Sequence, residues 1–148
     1  MASFEIVDLA SQNDLDKFIR SLSPQTLHNF DHFNFDGRYN TFFIYDKDDV
    51  IAYGFLRQAT HQFKKHLCVL GMVVADSHQG KGVGTFLGQK MIEWARKKYS
   101  KIALGVYSDN IGALRFYKRL GFDVEGILRK EELRKDNYRD IVTMAMYL

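Results

Sequence analysis

The chain has 148 residues, 46% of them apolar and 26% charged, close to the averages of globular proteins. That excludes a collagen-like or disordered chain, and the length suits one domain, 1–148. The net charge of +3 hides a division, because residues 1–60 carry −4 and residues 61–148 carry +7. The second part is therefore expected to meet something anionic.

Phe4 to Leu9 reads as a first strand. Asn13 or Asp14 can cap a helix with Leu15, Phe18, Ile19 and Leu22 on one face. Ser23-Pro24 ends that helix and starts a second, short one through about Phe30. Thr41 to Tyr45 and Val50 to Phe55 flank the polar turn Asp46-Lys47-Asp48-Asp49, a hairpin pattern. His66 to Val74 is a very apolar third strand in this region, expected to be central. The Gly-rich turn Gln79 to Gly84 leads into a long helix ending near Tyr99, with Phe86, Leu87, Lys90, Met91, Trp94 and Ala95 at helical spacing. Ile102 to Val106 is a short buried strand. Asn110 can cap a helix over Ile111 to Leu120, and Gly121 suits its end. Phe122 to Leu133 and Tyr138 to Leu148 form a last hairpin around Arg134-Lys135-Asp136-Asn137. The order β-α-α-β-β-β-α-β-α-β-β predicts an α/β fold, a mixed sheet layered with helices.

The longest apolar run, Leu67 to Val74, falls far short of the ~20 residues of a membrane span. No basic, apolar-cored leader opens the chain, and Cys68 is its one cysteine. Both point to a reducing, cytoplasmic setting. Cys68 sits in an apolar strand and reads as a small core residue.

The strongest local signal is Val73-Val74-Ala75-Asp76-Ser77-His78-Gln79-Gly80-Lys81-Gly82-Val83-Gly84-Thr85. A buried strand runs into three glycines and then a long helix. Exposed N–H groups at a helix start bind anions, and glycine lets a ligand approach the backbone. The spacing is not G-x-G-x-x-G, nor a P-loop, because Gly82 follows Lys81. A second pattern runs Asn110-Ile111-Gly112-Ala113-Leu114-Arg115-Phe116-Tyr117-Lys118-Arg119-Leu120-Gly121-Phe122.

Gln-Gly-Lys-Gly-Val-Gly resembles the Q/R-x-x-G-x-G/A loop of the GCN5-related N-acetyltransferase (GNAT) superfamily. The second pattern resembles that superfamily's N-x-x-A-x-x-x-Y-x-x-x-G-F helix, and the element order is similar throughout. The resemblance implies a mostly antiparallel, twisted mixed sheet, with helices on both faces and a splayed parallel strand pair. It implies acetyl-CoA as co-substrate and no metal. The pantetheine arm would lie on the backbone of Met72, Val73 and Val74. Gln79, Gly80, Lys81, Gly82, Val83, Gly84 and Thr85 would cradle the pyrophosphate. Asn110 and Ala113 would meet the cofactor, and Tyr117 would protonate the leaving thiolate, with Phe116 the more natural core residue. Backbone N–H groups near Val74 and Ala75 would stabilise the oxyanion.

Some members carry a Glu where this chain has Gly105. A base must come from elsewhere, act through water, or be unnecessary. Candidates are His28, Asp31, His32, Asp36, Tyr107, Ser108, Glu131 and Glu132. His28, Asp31, His32 and Tyr107 form the expected acceptor side. The acceptor is expected to be a small amine or amino sugar, met by direct attack. Peptide N-termini or lysines are the alternative, and a non-catalytic acetyl-CoA sensor is an alternative of another class. Nucleic acid and membrane are not expected partners, and the chain is expected to be a monomer or homodimer.

Overall fold

The computed structural model describes residues 2–5, 12–30 and 39–148. Its strands are β1 (Ala2–Glu5), β2 (Tyr39–Asp46), β3 (Asp49–Gln58), β4 (Leu67–Val74), β5 (Lys101–Tyr107), β6 (Asp123–Arg134) and β7 (Asn137–Tyr147). They form one sheet in the order β1-β2-β3-β4-β5-β7-β6. All neighbours are antiparallel except β4 and β5, which run parallel. The helices are α1 (Gln12–Ser21), α2 (Pro24–Asn29), α3 (Val83–Ala95) and α4 (Ile111–Leu120). This is the mixed α/β architecture that the sequence pattern implies.

Strand alternation divides the core in two. Phe42, Ala52, Leu56, Cys68 and Leu70, with Ile102 of β5, face α3 and α4, where they meet Leu87 and Met91. Phe43, Tyr53, Phe55, Val73 and Ala75 face the other way, onto Leu15 and Phe18 of α1 and Leu22 just beyond it. Each fully buried aliphatic or aromatic side chain adds roughly 1.5–3 kcal/mol, so both helix layers are held by their apolar faces. α3 lies close on the sheet because Gly54 has no side chain. A Cβ there would stand 2.6 Å from Met91 Sδ.

Several boundaries differ from the sequence expectation. The Ile6 to Leu9 part of the first strand lies outside the described residues. α1 already includes Gln12, so Asn13 and Asp14 occupy its first turn rather than cap it. Asp14 suits that turn through the positive helix end. β2 and β3 extend beyond their apolar runs, because ladder pairing continues from Tyr39↔Arg57 to Asp46↔Asp49. α3 stops at Ala95, not near Tyr99. The chain tightens there, with Lys97 N–H on Trp94 O and Lys98 N–H on Ala95 O. Phe86 is 43% exposed, and the buried seam of α3 runs through Leu87, Gly88, Met91, Ile92 and Ala95. No helix among the described residues is long and apolar enough to cross a membrane.

One short helix, packed on the sheet through Leu27, is also anchored by a carboxylate. Ser23 caps α2 by accepting from Thr26 N–H, and Pro24 follows at the helix start. Asp76, just beyond β4, accepts from Ser23 N (2.9 Å), Ser23 Oγ (2.9 Å) and Thr26 Oγ1 (2.8 Å). Burial pushes the Asp76 pKa up, but these hydrogen bonds outweigh it and hold the carboxyl below its ordinary range. A depressed carboxyl pKa adds stability above the unfolded value and loses it as pH falls through the folded one. Asp76→Ala is expected to lower stability by about 1 kcal/mol at neutral pH. In urea melts the deficit should shrink as pH falls from about 5 towards about 3.

Candidate active site

β4 and β5 pair over only three residues, Leu67↔Lys101, Cys68↔Ile102 and Val69↔Ala103. Beyond them the strands part. On its other side β4 stays paired with β3 as far as Ala52↔Val74. Ala75 N–H bonds Ile51 O at 2.8 Å. Antiparallel alternation then turns Val73 towards Tyr53, and turns the main-chain groups of Met72 and Val74 into the gap. Two expectations change here. Ala75 N–H and the Val73 backbone are taken by β3, so Met72 and Val74 are the strand residues open to a ligand.

The gap belongs to a cleft of about 1030 Å³. At one end lie Gly80, Gly82, Gly84 and Thr85. Gly80 (φ 73°) and Gly82 (φ 83°) are left-handed, a conformation that costs other residues roughly 1–2 kcal/mol. A Cβ on either would meet no protein atom within 4 Å, so the loop faces open space. Gly82 caps α3 without any side-chain hydrogen bond to the first turn. The first N–H groups of α3 therefore stay available to an anion, aided by the helix dipole. Gly84 serves packing as well, since a Cβ there would lie 3.4 Å from both Phe116 and Val74. Gln79 turns its side chain inward, and its Nε2 donates to Val74 O at 3.0 Å. Lys81 and Val83 do not line the cleft. Val83 packs on the α3–α4 core, leaving only its main chain at the loop.

α4 forms another wall. Asn110 Oδ1 accepts from Ala113 N–H at 3.3 Å, and Asn110, Gly112, Ala113, Phe116, Tyr117 and Arg119 line the cleft. Tyr117 is only 8% exposed and belongs to the core, against rings of Phe116 (5.2 Å) and Phe122 (5.7 Å). It is more buried than Phe116, the reverse of the sequence expectation, because α4 turns Tyr117 onto the sheet. Burial raises the phenol pKa above its ordinary 10, so Tyr117 keeps its proton at neutral pH and can donate it. Cys68 is fully buried, and desolvation pushes its thiol up to about 12. It supplies no thiolate at neutral pH.

The opposite end of the cleft holds Gln25, Thr26, Asn29, Phe30, Tyr39, Phe55, Arg57, Gly105, Tyr107 and Glu132. Tyr107 OH donates to Glu132 Oε1 at 3.0 Å. The same oxygen accepts from Arg134 Nε (3.2 Å) and Nη2 (3.1 Å). Burial, then the Glu132 contact, raises the Tyr107 pKa. A bulge between Leu128 and Glu132 breaks the β6–β7 register, and such irregularities re-aim side chains. At Gly105 a Cβ would stand 3.0 Å from Ile141 Cγ2, so a longer side chain would crowd that wall.

The other candidates among the described residues are not brought into this cleft. His28 Nε2 accepts from Arg139 Nη1, so its lone pair is occupied. Arg139 also stacks on Tyr107 at 3.6 Å and bonds Asp109 Oδ1 at 2.8 Å. His28 and Ser108 line a second cavity instead, and Glu131 lines neither. Asp31, His32 and Asp36 lie outside the described residues. Among the described residues no group of three or more His, Cys, Asp or Glu could hold a metal.

A loop with spare helix N–H groups, beside a strand edge with spare main-chain groups, suits a phosphate-bearing ligand with a long amide arm. The sequence of the acetyltransferase (GNAT) family matches residues 7–122. The chain belongs to that family. The match takes in the glycine loop and the whole of α4. Among curated relatives, the L-amino acid N-acetyltransferase of Escherichia coli is 35% identical over 86 residues, covering 55% of this chain and 52% of that protein. An uncharacterized N-acetyltransferase of Bacillus subtilis is 30% identical over 113 residues, covering 73% of this chain and 44% of its own length. The chain thus spans about half the length of these relatives or less. The fold is that of an acetyltransferase from Salmonella typhimurium solved with its cofactor acetyl-CoA. The TM-score is 0.83 and identity 19%, over 100% of this chain and 94% of that one. The ribosomal-protein-S18-alanine N-acetyltransferase of Escherichia coli has a TM-score of 0.78 and 20% identity, over 99% of this chain and 94% of that one.

Gly82 gives the glycine loop of this GNAT member a direct test. Gly82→Ala adds left-handed strain and a methyl group in the open space. In a calorimetric titration the Kd for acetyl-CoA is expected to rise about tenfold or more, and a thermal melt should show a loss of roughly 1–2 kcal/mol from the left-handed strain.

Proposed function

We propose that this chain transfers the acetyl group of acetyl-CoA to a small primary amine, directly and without an acetylated enzyme. The observation that carries the reading is the opening of β4 from β5, with the glycine loop at one end and Tyr107 and Glu132 at the other. The residues fit the co-substrate. Free N–H groups at the start of α3 suit its pyrophosphate, and the main chain of Met72 and Val74 suits its pantetheine amides. Bound there, acetyl-CoA supplies an activated acyl group.

The protein's own part is positional and acid–base. Holding both reactants in one cleft removes the entropy cost of their encounter. The amine forms a C–N bond to the acyl carbon as the C–S bond breaks. Main-chain N–H groups of Met72 and Val74 face the gap and can meet developing negative charge on oxygen. The amine's proton passes to the Tyr107 hydroxyl oxygen as that hydroxyl gives its own proton to Glu132, 3.0 Å away. Tyr117 gives its proton to the departing sulfur. Glu132 thus takes the base role left open by Gly105. A small acceptor fits because the 1030 Å³ cleft must also hold the acyl end of the co-substrate.

Tyr117→Phe is expected to lower kcat about a hundredfold, the usual contribution of a general acid, with the KM for acetyl-CoA nearly unchanged. The raised phenol pKa has a sign consequence. Tyr117 stays protonated above its ordinary 10, so it should add no alkaline fall in kcat below about pH 10. Glu132→Gln is expected to cost about a hundredfold in kcat/KM for the amine, and Cys68→Ala none. Thiol release across an amine panel checks all three. Co-substrate binding without thiol release from any amine would instead mark a sensor.

A further inference from the structure

On β3, Arg57 shares the sheet face of Tyr53 and Phe55, since alternate residues point the same way. It is half-buried, pairs in register with Tyr39 and Val69, and lines the cleft at its acceptor end. Beside it the Phe55 ring packs on Tyr39 (5.2 Å) and Phe30 (6.2 Å). Among the described residues the guanidinium of Arg57 has no hydrogen bond and no ion pair. That contrasts with Arg134 on Glu132 and Arg139 on Asp109. Glu132 is the one carboxylate among the described lining residues, and one of its oxygens already takes three donors. Asn29, at the end of α2, has its Oδ1 buried in the same wall without a donor.

We propose that the acceptor amine also carries a carboxylate, as an amino acid does, and that Arg57 is the residue that holds it. The inference rests on the acetyl-transfer reading and narrows its acceptor class. A guanidinium that lines the cleft on a half-buried side chain, with no partner among the described residues, is ready to take an anionic ligand group. Its planar fork matches a carboxylate with two parallel hydrogen bonds. A polyamine would instead bring a second cation beside an unpaired one. Val69, opposite Arg57, precedes Met72 by three residues, about 10 Å along the strand. An amine near Met72 and a carboxylate on Arg57 are close enough to belong to one small molecule.

The test measures thiol release from acetyl-CoA with each common amino acid beside its carboxamide. The amide keeps the amine and removes the charge. Its amine is less basic and more of it is neutral, which biases the comparison against the proposal. The wild-type chain should favour the acids by about 10- to 100-fold in kcat/KM, the worth of a charged hydrogen bond, mostly through KM. Arg57→Gln should remove that preference by losing activity on the acids alone, and Arg57→Lys should restore part of it. Among the described residues Arg57 has no partner to lose, and acetyl-CoA-induced stabilisation of each variant in a thermal melt checks folding. Equal use of acids and amides by the wild type overturns the proposal. So does an equal loss on both in Arg57→Gln. Turnover of plain amines but not acids overturns the carboxylate and leaves acetyl transfer standing. Bound acetyl-CoA with no thiol release from any acceptor overturns acetyl transfer and this proposal with it.

Discussion

The separation of β4 from β5 after three paired residues is the constraint on which the rest of the molecule turns. Backbone polar groups left without partners inside a protein are costly. β4 therefore needs something to replace β5 beyond Val69. Gln79 meets part of that need by donating to Val74 O. The remaining groups, on Met72 and Val74, face a cleft wide enough for a ligand chain. The helices keep the strands apart. α3 follows β4 and α4 follows β5, and the two helices pack together through small residues. Gly84 lies under Phe116 and Val74, and Gly88 lies under Leu120.

The two ends of the cleft are built by different means. The glycine-loop end is made of backbone, with left-handed glycines and a helix start without a side-chain cap. The opposite end is made largely of side chains from α2, β2, β3, β5 and β6. Asp76 ties them together, since it ends the strand that leads to the glycine loop and also anchors α2. The division of charge along the chain does not map simply onto these ends. Arg57 comes from the acidic part and Glu132 from the basic part, and both stand at the end away from the glycine loop. The β6–β7 hairpin folds back beside β5 and delivers Glu132 there, while β3 brings Arg57.

Element order, the glycine loop and the Asn110–Tyr117 helix could be read directly from residue types. Each depends on local rules: a period of two or 3.6, a capping side chain, or a glycine in a turn. For the same reason the fold class was legible. The general base was not, because Gly105 removed the expected carboxylate and several other residues competed for the role. His28 and Tyr107 carry equal promise as letters. Only packing separates them, by giving His28 to Arg139 and Tyr107 to Glu132.

The sequence by itself determined the order of elements, the glycine turn at the start of α3 and the place of Tyr117 on α4, because those features arise within a few neighbouring residues. Tertiary structure decided which backbone groups of β4 stay open, since that depends on its pairing with β3. It also decided that Arg57, Asn29 and Glu132 share one cleft. These residues stand 28 and 75 positions apart along the chain, and no local pattern carries information over such distances. The sheet register does, because each strand's pairing sets which face its side chains occupy.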